Sequence, residues 1–409
     1  MESSSGASSE GLRRHNRSLV LQHIFTNGPT SRVKIAAKTG LTGAAITRIT
    51  RELIDAGLIR EGAKVGNADR PGRRSIELDL DETGGYVLGF GAGAFEQWIQ
   101  LSGLRGQPIA RQRLKLMGAR SAAAALATVV EAGRDLIRRS GVEYRRVLGL
   151  GAAIAGVVDP RAGTVLLSPN LGWRDVELGQ ILASGLGMPV RVESLHHALN
   201  LTESQLGKTR GLNDVVLINL ALGIGASILA DGRIIRASST MAGQIGHMRM
   251  PGASELCTCG RRGCLDTVSS GYAVLRALGR IEPRHEAGRH KPSNADIMLQ
   301  AIAEADAGEP EVVGAFLEAG KHLGSVLDAV WALNNPKRVV LAGPLAQVRS
   351  YVEGVRLAID RERWQSKADE ILVISDKSND AAGAWLALDE FMLRQDIRIP
   401  RPSPTHVPA

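Results

Sequence analysis

All three cysteines of the 409-residue chain fall within eight residues, Cys257-Thr258-Cys259-Gly260-Arg261-Arg262-Gly263-Cys264. An odd number of thiols at that spacing argues against a disulfide framework. Reduced thiols suit a cytoplasmic protein. His247 lies ten residues upstream of Cys257, in Gly243-Gln244-Ile245-Gly246-His247. Three thiolates and one imidazole make a closed tetrahedral shell for Zn²⁺, with no position left for water. The expected role of His247, Cys257, Cys259 and Cys264 is therefore structural rather than hydrolytic. Gly260 and Gly263 allow the loop to wrap an ion, because glycine accepts positive φ. The competing reading is three buried or incidental cysteines.

Charge divides the chain in two. Residues 1–75 carry 13 Lys plus Arg against six acids, which is nearly all of the net +8. A basic head on a neutral body points to a polyanion for the head and another task for the body. The hydrophobic share of 44% and charged share of 22% exclude a wholly disordered chain. The length predicts two or three domains. Few aromatics and 47 glycines suggest a large α/β core with glycine turns. No apolar run is long enough for a membrane span. The Ser-rich start lacks the apolar core of a secretory signal. Residues 1–12 and 397–409 read as flexible tails.

The pattern within the head favours DNA. Arg14 to Asn27 reads as a helix, with Leu19, Val20, His23, Ile24 and Asn27 at helical spacing and Gly28-Pro29 as the stop. Ser31 can cap a short second helix with Val33, Ala36 and Ala37 inward. Thr42 can cap a third helix after the turn at Thr39-Gly40-Leu41. Ile46, Ile49 and Leu53 form its buried stripe. Thr42, Ala44, Ala45, Thr47 and Arg48 are expected near base edges, and Arg51 near phosphate, because small and basic side chains suit entry into a major groove. Ile76, Leu78 and Leu80 alternate as a half-buried strand. The Gly- and Arg-rich stretch before it, with Arg70, Arg73 and Arg74, reads as a wing that meets phosphate or the minor groove. The alternative is a small helical protein-interaction module.

The body reads as two α/β halves, each opened by a hairpin. Gly85 to Ile109 and Asp214 to Ile235 are the hairpins. Val147 to Val158 and Arg338 to Ala342 are further strands, and Ser121 to Arg139 and Glu311 to Leu333 are helices. Such a layout suggests a duplicated sheet-and-helix domain with a cleft between the halves.

From about Arg13 to about Leu393 the chain resembles the ROK family of repressors, open reading frames and sugar kinases, and within it the winged-helix transcriptional regulators. The resemblance rests first on Ala242-Gly243-Gln244-Ile245-Gly246-His247-Met248 and on Cys257-x-Cys259-Gly260-x-x-Gly263-Cys264-Leu265-Asp266. Ser168-Pro169-Asn170-Leu171 and Trp173 are similar to the family's sugar-loop segment. The resemblance implies an α/β architecture: a winged helix-turn-helix at 13–80, then at 81–396 a two-lobed, actin-like, ribonuclease-H-like sugar-kinase domain with a structural zinc loop. It also implies Asn170, Glu193, Gln244, His247 and Asp266 as effector-binding residues.

The kinase parts depart from the family pattern. Gly91 stands where the first phosphate loop has Asp, and Phe95 where it has Thr. Ala221-Leu222-Gly223 replaces Gly-Thr-Gly. Leu195 replaces the catalytic Asp, Gln244 and Asp266 replace two glutamates, and Pro344 follows Gly343 in the late nucleotide turn. A glycine cannot organise Mg²⁺, and a leucine cannot act as a base. His196 or His197 is the remaining candidate for that base. The expected protein is a cytoplasmic repressor without enzymatic activity. It reads operator DNA as a homodimer or dimer of dimers and responds to a carbohydrate-like effector. The alternatives are a sugar kinase with a DNA-binding head and a regulator controlled by a protein partner.

Overall fold

The computed structural model describes residues 9–65, 75–116, 118–236, 243–281, 293–359 and 368–394. Helix α1 (Ser9–Asn27) starts earlier than the expected Arg14 and buries Val20, Leu21, Ile24 and Phe25. Leu19 and His23 are only half-buried and Asn27 is exposed. Gly28 adopts φ 69° and ends the helix. After the short strand β1 (Thr30–Ser31), the Ser31 hydroxyl accepts from the Lys34 amide and starts α2 (Arg32–Thr39). Here the expected inward set is corrected. Ile35 is fully buried, Ala36 is half-buried, Ala37 is exposed and Val33 is 74% exposed. Two positions along a helix lie about 200° apart, so burying Ile35 turns Val33 outward.

Helix α3 (Gly43–Asp55) starts where Thr42 Oγ1 accepts from the Ala45 amide at 3.3 Å. Ile46, Ile49 and Leu53 are buried as expected. Strands β2 (Ile59–Val65) and β3 (Ser75–Leu80) pair antiparallel, and β1 adds a third strand on β3. The wing residues Arg70, Arg73 and Arg74 lie outside the described residues.

The body holds two five-stranded sheets. The first contains β4 (Tyr86–Ala92), β5 (Gln97–Gly103) and β6 (Pro108–Leu114), followed by α4 (Ala122–Arg139) and β7 (Val147–Ile154). A small sheet of β8 (Val157–Asp159), β9 (Thr164–Ser168) and β10 (Trp173–Val176) comes next. Then follow α5 (Leu178–Leu186), β11 (Val190–Ser194) and α6 (Leu195–Leu206). The second sheet contains β12 (Val215–Leu220), β13 (Ile224–Ala230) and β14 (Arg233–Ile234). Helices α7 (Asp266–Ser269), α8 (Gly271–Ala277), α9 (Ser293–Asp306) and α10 (Pro310–Asn334) lead to β15 (Arg338–Ala342). Helices α11 (Arg349–Ala358) and α12 (Ala368–Ile371), strand β16 (Leu372–Ile374) and helix α13 (Asn379–Leu388) close the fold.

The sheet orders are β11-β7-β4-β5-β6 and β14-β13-β12-β15-β16. In both, three antiparallel strands are extended by two parallel ones on the side of the first strand. The halves therefore share one topology, although they share little sequence.

The last helix ties everything together. Gly89 and Gly91 on β4 alternate, as do Gly149 and Gly151 on β7, and Gly89 pairs with Gly151 in register. One face of the sheet is thus bare of side chains there, and α13 lies on it. A Cβ on Gly89 would fall on the Ala384 backbone, and one on Gly151 on the Gly383 carbonyl. From its outer side α13 sends Trp385 and Leu388 into one buried cluster with Leu21, Ile24 and Phe25 of α1. The Phe25 and Trp385 rings lie 5.5 Å apart. Ser18 donates to the Leu393 carbonyl, and Arg105 pairs with Asp79 of β3. Head and body are joined by a hydrophobic core rather than by a bare linker.

Candidate functional site

A cleft of about 1400 Å³ opens between the two lobes. Four of the five residues expected to bind an effector line it: Asn170, Gln244, His247 and Asp266. Asn170 follows β9, and its Oδ1 is buried without a protein partner among the described residues. Such an oxygen is costly to leave unpaired, so it favours a ligand hydroxyl at that point. Asp266 opens α7 and accepts from the Ile224 amide at 2.8 Å. Burial pushes its carboxyl up to about 6, while the nearby His247 and the Ile224 amide pull it back.

Glu193 is the correction. It does not line the cleft. Its buried carboxylate accepts from Arg236 at 3.0 and 2.6 Å, from the Ser194 amide at 3.0 Å, and faces His197 Nδ1 at 3.2 Å. It borders a separate cavity of about 200 Å³. β11 turns alternate side chains to opposite faces, and this one meets Arg236, Ser194 and His197 rather than the cleft. Burial works to raise its pKa, but the bonds from His197 and Arg236 outweigh burial and hold it at about 2, against an ordinary 4.5. A depressed carboxylate stabilises the fold above its unfolded value and loses that contribution as pH falls through its folded value. The expected result is a loss of about 3 kcal/mol between pH 4.5 and 2. Urea unfolding of wild type and Glu193→Gln across that window checks this, with the variant showing the flatter dependence.

Among the described residues, the positions matched to the phosphotransfer groups hold none of them in space either. At Gly91 a Cβ would fall on the Asn379 and Asp380 backbone, so there is no room for a carboxylate. Phe95 is 7% exposed and, with Ala94, sits in the hydrophobic core of the second lobe. It fills the place of a phosphate-binding hydroxyl with a ring. Leu195 is buried at the position of the base. His196 lines the cleft beside it, but burial lowers its pKa to about 3. An imidazole held that low is a poor proton acceptor for a sugar hydroxyl at neutral pH. His197 is bound to Glu193 instead.

The sequence pattern missed Arg174 and Asn379 as cleft residues. Arg174 directly follows Trp173 in the recognised loop, so adjacency was a usable signal. Asn379 carries none, because it arrives from the far end of the chain.

Beside the cleft, one ligand atom from each of His247, Cys257, Cys259 and Cys264 lies within 4.8 Å of all the others. Cys257 Sγ is 3.6 Å from His247 Nδ1, and Cys259 Sγ is 3.7 Å from Cys264 Sγ. A tetrahedral zinc with bonds of about 2.3 Å to sulfur sets its sulfurs about 3.8 Å apart. The spacing fits a metal and exceeds an S–S bond of about 2.05 Å. Without a cation, burial and the neighbouring thiols push Cys264 up to about 12. Three sulfurs this close need a positive partner to ionise together. Gly260 and Gly263 take φ 83° and 74°, as a loop closing on an ion requires. These four residues can hold a metal ion, and they brace the loop that carries Gln244 and His247.

The basic helix lies apart from the cleft. On α3, Thr42, Ala44, Thr47, Arg48 and Arg51 are exposed, while Ala45 is half-buried. The Thr47 hydroxyl donates to the Gly43 carbonyl at 2.8 Å, leaving its methyl and its lone pairs outward. Arg48 and Arg51 have no protein partner among the described residues. Arg32, in contrast, is held by Thr50 and Glu61. Two unpaired cations on the exposed face of a capped helix form a candidate phosphate and base contact surface.

No helix among the described residues is long and apolar enough to cross a membrane. Residues 87–389 match the ROK family, and residues 13–60 match a winged helix-turn-helix DNA-binding family. The chain is 25% identical to the xylose repressor of Caldicellulosiruptor bescii over 91% of its own length and 94% of the repressor's. Among solved structures, a ROK family transcriptional regulator homologous to the Escherichia coli Mlc protein superposes with a TM-score of 0.72. It is 27% identical, over 92% of this chain and 96% of that one. A ROK hexokinase from Thermus thermophilus, 23% identical, shares the fold with a TM-score of 0.58 over 74% of this chain and 97% of its own.

Proposed function

The chain belongs to the ROK family, and from that premise we propose that it is a transcriptional repressor that reads operator DNA with α3 and binds a carbohydrate-like effector in the cleft. It is a DNA-binding regulator of the family rather than one of its kinases. The exposed face of α3, with Arg48 and Arg51 unpaired, is the observation that carries this reading. Thr42, Ala44, Thr47 and Arg48 meet base edges, Ala45 flanks them, and Arg51 meets phosphate. Arg70, Arg73 and Arg74 are assigned to the wing. Two heads of a homodimer, or of a dimer of dimers, address an inverted repeat with half-sites one or two helical turns apart. Zn²⁺ at His247, Cys257, Cys259 and Cys264 serves structure, since four protein ligands leave no open position. Asn170, Gln244, His247 and Asp266 offer the neutral and acidic partners that sugar hydroxyls need. The relative named xylose repressor supports a sugar-type effector. The protein works in the cytoplasm, where its thiols stay reduced.

Selection of genomic fragments by the purified protein at two salt concentrations tests the reading. One inverted-repeat site with a steep salt slope is the expected result. Arg48→Ala should cost about 1–3 kcal/mol and relax specificity at one base pair, whereas Arg51→Ala should weaken all sequences alike and lower the salt slope by about one. Weak, sequence-blind binding by wild type would overturn the assignment. A coupled assay of ATP consumption over a sugar panel should show no sugar-dependent turnover.

A further inference from the structure

We infer that α13 is the strut through which the cleft sets the posture of the DNA-binding head, and that Gly91 is the seat that makes it one. The inference rests on the regulator reading above. At its start, Asn379 lines the cleft. The next residue, Asp380, is fully buried and accepts from Arg111 at 2.7 and 3.0 Å. Arg111 in turn lies over the Trp98 ring at 4.6 Å. The near end of the helix is therefore pinned to the first lobe by a paired charge, which resists sliding.

The middle of α13 has no cushion. A Cβ on Gly383 would stand 2.6 Å from the Phe90 carbonyl and 2.7 Å from the Gly151 carbonyl. Helix backbone on strand backbone cannot absorb a displacement by rotating a side chain. A push at one end reaches the other as a rigid shift, because packed interiors transmit strain. The far end is Trp385 with the π-helical segment Asp389–Arg394, whose Phe391, Met392 and Leu393 share one buried cluster with α1. α1 packs against α3, so the shift arrives at the recognition helix.

Gly91 gives this arrangement a meaning beyond lost catalysis. The bare strand lets the start of α13 press on the first phosphate loop, and any side chain there would lever it away. The glycine that removed the metal-binding carboxylate also coupled that loop to the head.

The test is operator binding by the full-length protein with a wedge set under the strut. Gly91→Ala drives a methyl into the Asn379 backbone. Gly93→Ala is a milder wedge, because its methyl meets the Nδ2 end of the Asn379 side chain at 2.6 Å rather than the helix backbone. Gly185→Ala, whose methyl meets Val130 far from α13 at 2.6 Å, controls for overpacking in the same lobe. The expected result is at least a tenfold loss of operator affinity for Gly91→Ala and a smaller loss for Gly93→Ala. Gly185→Ala should bind as wild type, with circular dichroism and metal content unchanged in the folded variants. In a Trp385→Leu background the wedges should lose most of their effect, because the strut no longer ends on Phe25. If Gly91→Ala does not fold, Gly93→Ala decides alone. Wedge variants that bind operator like wild type overturn the strut and leave the regulator reading intact. Wild type that selects no operator overturns both.

Discussion

Loss of the metal from His247, Cys257, Cys259 and Cys264 should be the most damaging change that can be made to the body. Purified protein is expected to carry one zinc per chain. Cys257→Ser and Cys264→Ser should reduce this to near zero and lower stability by several kcal/mol. Isolated zinc-finger peptides gain about 10–16 kcal/mol of apparent binding energy from the ion. The loss here is smaller, because part of the loop is held without it. The Leu265 amide donates to the Met248 carbonyl at 2.8 Å, and the Met250 amide donates to the Gly263 carbonyl at 2.7 Å. Leu265 and Met250 also belong to the core of the second lobe. For a body of this size each kcal/mol moves Tm by about 2–4 °C, so a drop of about 10 °C is expected. Cys259, the exposed ligand, should give the mildest defect. Effector binding should fail with the metal, since Gln244, His247 and Asp266 flank the loop. Well under one zinc per chain, with Cys259→Ser as stable as wild type, would end the assignment.

Much of this was legible in the sequence, and for identifiable reasons. Local chemistry read well. Ser31 and Thr42 cap helices because short hydroxyl side chains beside a helical run have one obvious use. Ile46, Ile49 and Leu53 share a stripe because period 3.6 leaves little choice in 13 residues. The thiol cluster read well because its ligands are nearly adjacent. What failed was non-local. Val33, Ala36 and Ala37 share the spacing of one helix face and are expected inward, yet a two-turn helix buries whichever residue meets its neighbour, and that is Ile35. Glu193 carried its family role by position, but Arg236, 43 residues away, took the carboxylate. Gly89 and Gly91 fall in an expected hairpin and Gly149 and Gly151 in an expected strand, with nothing in the sequence to mark them as one face. Their alternation in two adjacent strands was a face, and only a third element, α13, gives a bare face a purpose.

Trp385 is where that third element meets the head, and Trp385→Ala should be the second large effect. The side chain is 2% exposed and packs on Phe25. Deleting a buried aromatic of this kind costs about 3–5 kcal/mol, most of it lost burial plus the cavity left behind, and about 0.5–1.5 kcal/mol of that belongs to the ring pair. The loss falls on the joint rather than evenly on the chain. None of the five tryptophans lies in residues 1–80, and Trp385, the one packed on the head, is gone from the variant, so intrinsic fluorescence of Trp385→Ala follows the body alone. Operator binding follows the head. In wild type the continuous core from α1 to α13 makes the two fail together as urea rises. In Trp385→Ala, operator binding should disappear at clearly lower urea than the fluorescence transition, because the head now depends on its own small core of Ile35, Ile46, Ile49 and Leu53. A domain of that size is marginal alone. Trp385→Phe, which keeps an aromatic against Phe25, should bring the two midpoints back toward one another. Coincident midpoints in Trp385→Ala would mean that the head holds its posture without the joint.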